Sequence, residues 1–388
     1  MNRREVKRAP VLRFKGFTND WEQRKLGTAI KIIKDKNKNQ HSYRAFSISN
    51  IKGFIAQDEQ FGKDNTYSKT DKSTNYIVKP GMFAYNPARI NVGSIAYQNQ
   101  TEPVLVSSLY EIFQTNSKID DSFLMNWFKT SLFNRQIKRL EEGGVRQYFF
   151  IDKMKETEIK LPSISEQNQI SKLLQLVNKN LDLQQRKLKL LKEIRKGIVE
   201  NIRDNNFEYK EQKNDFKDVK IKDMFKITRG KVLPKEKISS NKISPNIYPV
   251  FSSQTLNNGL LGFYKDYLFQ NAITWTTDGA NAGTVNFRNE KFYSTNVNGV
   301  LLQKKIKPDL LTADLLNLVA FKYVSKVGNP KLMNNTMANI RIKIPSNTNA
   351  RIFYSKILNK YDTKIDFINK KIDYLTTFKR FLLQNMFI

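Results

Sequence analysis

The chain has 388 residues, no cysteine and one histidine, and its 67 Lys and Arg against 36 Asp and Glu leave a formal net charge of +31. The length allows two domains, and the absence of thiols excludes disulfides, thiolate nucleophiles and thiolate zinc sites. The positive excess is larger than solubility needs and points to a polyanion, duplex DNA or RNA ahead of an anionic membrane.

No run reaches the roughly 18 uninterrupted apolar residues of a membrane span, and the basic start, Met1 to Arg13, leads into no apolar stretch. A cytoplasmic chain without membrane contact is therefore expected. After the arm comes an aromatic-bearing segment, Phe14-Lys15-Gly16-Phe17 to Trp21, which should dock on a core. It has a copy in the second half of the chain: Asn19-Asp20-Trp21 returns as Asn214-Asp215-Phe216, Lys25-Leu26 as Lys220-Ile221, and Ile30-Lys31-Ile32 as Phe225-Lys226-Ile227. His41 sits among Asn and Gln and reads as part of a polar loop.

From about residue 28 to 160, short β-branched and aromatic runs broken by Gly, Asn and Pro read as irregular strands. Tyr76-Ile77-Val78 is one, closed by the turn signal Lys79-Pro80-Gly81. Met82 to Asn86 is a buried strand ending at Pro87, Gly93 to Tyr97 is another, and Asp121 to Leu140 has the spacing of one amphipathic helix. The second globular stretch follows the same plan. A single shift in numbering carries Met82 to Asn86 onto Ala272 to Thr276 and Gly93-Ser94-Ile95 onto Gly283-Thr284-Val285, and Leu310 to Val324 takes the place of the earlier helix. Both stretches leave by a strand and a proline, Ile159-Lys160-Leu161-Pro162 in the first and its mate Ile342-Lys343-Ile344-Pro345 in the second.

Each exit opens a long helix, expected over Gln169 to Arg203 and Phe353 to Phe387. Alternating steps of four and three mark Ile170, Leu174, Val177, Leu181, Gln184, Leu188, Leu191, Arg195, Ile198 and Ile202. One constant shift carries these, in order, onto Tyr354, Leu358, Tyr361, Ile365, Ile368, Ile372, Leu375, Lys379, Leu382 and Met386. A sustained 3.5-residue spacing lays one helix along another. The expected fold is thus α+β: two globular α/β domains at the ends of an intramolecular antiparallel coiled coil of two long helices, related by a pseudo-two-fold repeat. The boundaries are 1–162 for the arm and first domain, 163–205 for the central helix, 206–345 for the second domain and 346–388 for the distal helix.

This order resembles the specificity subunit of type I restriction-modification systems. The residues that carry the likeness are Phe14-Lys15-Gly16-Phe17 to Trp21-Glu22-Gln23-Arg24-Lys25-Leu26-Gly27, the exit Leu161-Pro162-Ser163-Ile164-Ser165-Glu166-Gln167-Asn168-Gln169-Ile170, and the Lys-rich helix ending Ile198-Val199-Glu200-Asn201-Ile202. The second exit, Pro345-Ser346-Asn347-Thr348-Asn349-Ala350-Arg351, departs from the first in lacking Glu-Gln, so contacts of Glu166 and Gln167 need not recur there. The resemblance implies two target-recognition domains reading double-stranded DNA, with two adenine methyltransferase subunits and two motor-endonuclease subunits docked on the helices. S-adenosylmethionine, ATP and Mg would serve those partners, and this chain would hold no cofactor. Glu166, Gln167, Leu173, Leu183, Leu190, Ile357 and Phe381 are the docking candidates.

Catalytic signatures are weak. Gly230-Lys231 lacks the first glycine of a phosphate-binding loop, and Asn86-Pro87-Ala88-Arg89 lacks the second proline and aromatic of an amino-methyltransferase motif. Asp152 with Glu158-Ile159-Lys160 has the spacing of a metal-dependent nuclease. The repeat mate of Glu158 is Arg341, which cannot bind a cation, so Glu158 and Lys160 read as the exposed side of the exit strand. A nuclease acting alone and a non-specific architectural DNA-binding protein are the alternatives.

If duplex is bound, Lys and Arg supply phosphate contacts while Arg, Asn, Gln and Thr on loops read base edges. The candidates lie beside the duplicated strands: Arg44, Tyr85, Asn86, Arg89, Asn91, Arg146, Gln147 and Tyr148 in the first domain. In the second they are Ser252, Ser253, Gln254, Trp275, Thr276, Thr277, Asp278, Asn281, Arg288, Lys331, Asn334 and Asn335. Tyr85 and Trp275 fit a core role as well, Arg89 and Arg288 fit phosphate clamps, and Asn281 fits a turn between Gly279 and Gly283. Helices of roughly 50 Å would separate two readers by about one and a half turns of DNA, which makes the expected target bipartite, and asymmetric because the readers differ.

Overall fold

The computed structural model describes residues 9–50, 52–61, 72–140, 148–207, 215–253 and 256–388. It divides into one unit of residues 1–184 and 371–388 and another of residues 185–370.

The first unit opens with β1 (Glu22–Lys25), β2 (Ile30–Ile33), the hairpin β3 (Phe46–Ser49) and β4 (Gly53–Ala56), and α1 (Gln57–Phe61). Next come β5 (Tyr76–Val78), β6 (Phe83–Tyr85), β7 (Ile95–Tyr97), β8 (Val104–Val106) and β9 (Glu111–Thr115). Three short helices, α2 (Asp121–Trp127), α3 (Ser131–Leu140) and α4 (Ile151–Glu156), precede β10 (Glu158–Leu161) and the long α5 (Ile164–Arg203). The second unit contains β11 (Phe216–Lys220), α6 (Ile221–Met224), β12 (Phe225–Arg229), β13 (Tyr248–Phe251), β14 (Leu260–Tyr264), β15 (Phe269–Thr276), β16 (Val285–Ser294) and β17 (Asn298–Gln303). It closes with α7 (Leu310–Ala320), α8 (Asn334–Asn339), β18 (Arg341–Pro345) and α9 (Thr348–Asn385), whose last turns belong to the first unit.

The duplication read from residue spacing reappears as shared topology. The main sheet of the first unit runs β2-β9-β6-β7, and that of the second runs β12-β17-β15-β16 before adding β13-β14. Entry and exit strands pair antiparallel in both, Glu22 to Lys25 against Leu161 to Glu158 and Phe216 to Lys220 against Pro345 to Arg341. The hairpin differs. In the second unit β13 joins the main sheet by a parallel pairing with β16, whereas among the described residues the strands β3 and β4 pair only with each other.

Two expected helices are shorter than their apolar spacing suggests. Asp121 to Leu140 is broken into α2 and α3, because the Thr130 hydroxyl donates to Trp127 O at 2.7 Å and accepts from the Phe133 N–H, ending one helix and capping the next. Leu310 to Val324 stops at Ala320 and continues as a single tight turn over Phe321–Tyr323. The long helices start earlier than expected. The Ser163 hydroxyl accepts from the Glu166 N–H at 3.3 Å, and its repeat mate Asn347 accepts from the Asn349 N–H at 2.8 Å, so each helix begins just after its proline.

No seam position of either long helix is exposed. Ile170, Leu174, Val177 and Leu181 share the core of the first unit with Leu382 and Met386, while Val199 and Ile202 share that of the second with Tyr354 and Leu358. In the second unit Arg195 on α5 pairs with Asp362 on α9, and Phe207, just past the end of α5, accepts from Tyr354 near the start of α9 at 2.7 Å, so rising numbers along and beyond α5 meet falling numbers on α9. That stretch is therefore antiparallel.

Arg195 binds Asp362 through two nitrogens, at 2.5 and 2.8 Å, and reaches Asp314 on α7 at 2.9 Å. Burial pushes the Asp314 carboxyl up to about 6, with the Arg195 charge opposing. Arg195→Ala should cost about 2–3 kcal/mol at neutral pH by leaving Asp314 uncompensated. Without Arg195 the folded-state pKa of Asp314 rises further above its unfolded value, so this contribution to stability is lost as pH rises through that window. The deficit should therefore shrink between pH 7 and pH 5 in denaturant melts.

Candidate nucleic-acid interface

One pair of backbone hydrogen bonds builds the same surface in both units. Phe149 N–H donates to Pro87 O at 3.0 Å, and Leu332 N–H donates to Thr277 O at 2.9 Å. The two acceptors are related by the shift that carries Asn86 onto Thr276, and the two donors by the shift that carries Ile159 onto Ile342. Each bond fastens the loop after a central strand, β6 or β15, to the segment that leads into α4 or α8. Candidates from distant parts of the chain are thereby brought side by side.

In the first unit this loop is Asn86 to Gly93. The Asn86 side chain accepts from the Ala88 N–H at 3.0 Å and shapes the turn, leaving Arg89 and Asn91 exposed. Beside it, Tyr148 stacks on Phe150 with centroids 5.4 Å apart and planes 7° from parallel. Phe150 is 46 % exposed and escaped the sequence reading, since an aromatic among apolar neighbours reads as core. A stacked pair of rings, Phe150 exposed and Tyr148 half-buried, on the segment fastened to the loop of Arg89 and Asn91 suits stacking with bases or sugars. Arg146 and Gln147 lie outside the described residues.

In the second unit the corresponding loop is tied down further by Gly279 N–H to Pro330 O at 3.0 Å, and Lys331 lies 3.9 Å from Asp278. Asn281 is exposed, Ser253 half-buried, and Asn334 and Asn335 open α8. Ser252 accepts from the Thr295 hydroxyl at 3.0 Å. Gln254 lies outside the described residues.

Several candidates lie where their side chains cannot meet a duplex. Tyr85 is fully buried, and that burial pushes its phenol far above the ordinary range. Trp275 is buried and donates to Leu332 O at 2.9 Å; Thr277 is buried and donates to Val297 O at 2.8 Å, and Thr276 is 5 % exposed. They anchor the loops instead of facing outward, because a central strand buries both of its faces here. Arg44, by contrast, is exposed, and it pairs at the surface with Asp58 at 2.7 Å and Glu59 at 2.9 Å.

Arg288 is not an outward phosphate clamp either. It is 7 % exposed, lies 3.7 Å over the Phe251 ring, and donates to Asn258 O. Burial lowers its pKa to about 10. Among the described residues its Nε and the Asn298 Oδ1 have no hydrogen-bond partner, and both residues line a cavity of about 80 Å³ with Thr274, Thr276 and Asn286.

Glu166 and Gln167 turn inward as well. Glu166, 1 % exposed, accepts two hydrogen bonds from Arg13 at 2.7 and 2.8 Å and one from the Trp21 indole at 3.4 Å. Gln167 accepts from Asp120 N–H at 2.8 Å and donates to Pro162 O at 3.0 Å. Its repeat mate Arg351 donates to Pro345 O at 2.9 Å and lies 3.5 Å from Asp309, so the role recurs through a different side chain. Leu183, Leu190 and Phe381 are exposed, whereas Leu173 and Ile357 pack on the cores.

The nuclease-like residues are engaged elsewhere. Asp152 pairs with Lys155 at 2.7 Å, and Glu158 accepts from Gln23 at 3.0 Å. Among the described residues no group of three or more His, Asp or Glu is placed to hold a metal ion, and no helix is long and apolar enough to cross a membrane.

Comparison with known proteins places this geometry. A family model described as "Type I restriction modification DNA specificity domain" matches residues 18–193 and again residues 213–377. A protein of Mycoplasma pneumoniae named as the N-terminus of a type I specificity subunit is 45 % identical over 134 residues, 34 % of this chain and 70 % of that one. The specificity subunit of the type I restriction enzyme MpnII, also from M. pneumoniae, is 40 % identical over 134 residues, 34 % of this chain but only 39 % of its own length. The crystal structure of the S subunit of a type I restriction-modification system from M. genitalium superposes with a TM-score of 0.70, covering 98 % of this chain and 99 % of that one at 14 % identity, a likeness of fold alone.

Proposed function

Because the chain belongs to the type I restriction modification DNA specificity family, we propose that it chooses the DNA sequence on which a restriction-modification complex acts. Each unit reads one half of a bipartite, asymmetric target. The observation that carries this is the pair of repeat-related bonds, Phe149 to Pro87 and Leu332 to Thr277, which present dissimilar loops on one shared plan. One loop offers Pro87-Ala88-Arg89-Ile90-Asn91 and the other Thr277-Asp278-Gly279-Ala280-Asn281. Same mounting with different contents is what two unlike half-sites require.

In this reading the long helices set the number of unread base pairs and carry two methyltransferase and two motor-endonuclease subunits. Those partners use S-adenosylmethionine, ATP and Mg, and this chain supplies the address in the cytoplasm, on the nucleoid. Losing it removes the choice of target and no catalytic group.

Genome-wide mapping of methylated adenine in cells with and without the gene tests the reading. A split, asymmetric motif should be methylated only when the gene is present. Exchanging the loop Thr277 to Asn281 should change one half of that motif and leave the other half and the gap untouched. An identical methylation pattern in both cell lines would defeat the proposal.

A further inference from the structure

A groove of about 760 Å³ runs through the first unit, between the β3–β4 turn, the loop before β7, α2 and the last turns of α9. The amides of Asn50, Asn91 and Asn134 line it, and Lys129 and Lys379 both face it. Lys129 is open to solvent yet ringed by protein, as a side chain in an open trough must be. That crowding, and then the charge of Lys379, holds its ammonium below the usual lysine range. Lys379 is half-buried and likewise lowered by burial, with Asp182 pulling the other way. Neither lysine forms a salt bridge among the described residues. Asp121, the carboxylate in the wall, accepts from Thr115 and Tyr97.

The repeat supplies an internal control. Lys379 is the repeat mate of Arg195 on the long helices, and Arg195 is neutralised by Asp314 and Asp362. The first-unit mate of Asp362, under the same shift, is Asn178. The helices α2 and α7, aligned on their capping residues Asp120 and Asp309, put Met125 where Asp314 stands. Both carboxylates are thus missing around Lys379, and a second cation, Lys129, is added. Two cations left to repel each other in a polar trough cost stability unless an anion joins them.

We propose that this groove is a phosphate site: Lys129 and Lys379 together hold a backbone phosphate of the bound nucleic acid. The assignment rests on the DNA-binding reading above and extends it to named residues. Asn91 lies on the same loop as Arg89, so the trough continues from the surface formed around Pro87 and Phe149. Phosphate contacts of this kind fix the register of the duplex and leave sequence choice to other groups.

The test is duplex binding by the full chain across a range of salt concentrations, using mixed-sequence DNA and the variants Lys379→Gln, Lys129→Gln and Lys379→Arg. Each Gln variant should lose on the order of tenfold in affinity and flatten the log–log salt slope by about 0.9, the contribution of one phosphate. Lys379→Arg should restore both. Thermal melting of the Gln variants should be unchanged or raised, since each removes one of two repelling charges. Wild-type chain that fails to bind duplex would bring down the DNA-binding reading and this site with it. Normal wild-type binding with unaltered slopes in the Gln variants would overturn the phosphate site alone. So would a lowered melting temperature accompanying the weaker binding, or failure of arginine to rescue.

Discussion

Replacing Gly299 by alanine should destabilise the second unit by about 3 kcal/mol or more, although only one methyl group is added. Gly299 on β17 stands directly opposite Trp275 on β15, and the indole crosses the glycine so closely that an added Cβ would lie 2.0–2.3 Å from three ring atoms. The ring cannot step aside. It is 1 % exposed, and its Nε1 is fixed by the bond to Leu332 O. Trp275→Ala should cost about 4 kcal/mol, from the cavity and the stranded carbonyl. In that background Gly299→Ala should become nearly neutral, so the double variant should be less damaged than the sum of the singles by roughly 3 kcal/mol. Chemical denaturation of the four proteins measures this, and simple additivity would show that the ring and the glycine are not in conflict. Since Leu332 also fastens the reading loop at Thr277, the Trp275 variant should lose discrimination at one half-site and keep it at the other.

Arg13→Ala should be the most damaging change in the N-terminal arm, at about 4 kcal/mol, and worse than Glu166→Ala at about 2–3 kcal/mol. The asymmetry comes from burial. Among the described residues, removing Arg13 strands a carboxylate that is 1 % exposed and keeps only the long bond from Trp21, whereas removing Glu166 leaves a guanidinium that is 14 % exposed and can turn to water. The double variant should resemble Glu166→Ala alone, because no buried charge remains. Equal losses for the two single changes in thermal melts would show that the carboxylate is better solvated than its surroundings imply. As Glu166 opens α5, loss of the pair should also loosen the arm, whose Leu12 N–H is bonded to Asn385 O at 2.9 Å.

The repeat was legible because duplication writes the same register twice into a one-dimensional string. The shifts that carry Trp21 onto Phe216, Tyr85 onto Trp275, Ile159 onto Ile342 and Ile170 onto Tyr354 locate the paired strands, the shared sheet order and the capped starts of the long helices. The candidate site was legible only in outline. The stretches around residues 86–91 and 148, and around 278–281 and 331–334, do come together, yet the aromatic strand ends within them turned inward. Tyr85 and Trp275 looked equally suited to a groove wall, and nothing local to Met82–Asn86 or Ala272–Thr276 says that both faces of those strands are covered. Arg288 was misread for the same reason, since its burial depends on Phe251 and Asn258, which β13 and the turn before β14 bring across the sheet.

The sequence by itself determined a charge balance that calls for a polyanion, the absence of thiol chemistry, the duplicated plan and the seam of each long helix, because composition and periodicity are local properties. Tertiary structure alone decided which polar side chains face outward, that Arg351 takes over from Gln167, and that Arg195 is neutralised while Lys379 is not. Each of those outcomes depends on what packs across from a residue, and long-range closure of the chain sets that neighbour independently of the residue's own surroundings in sequence.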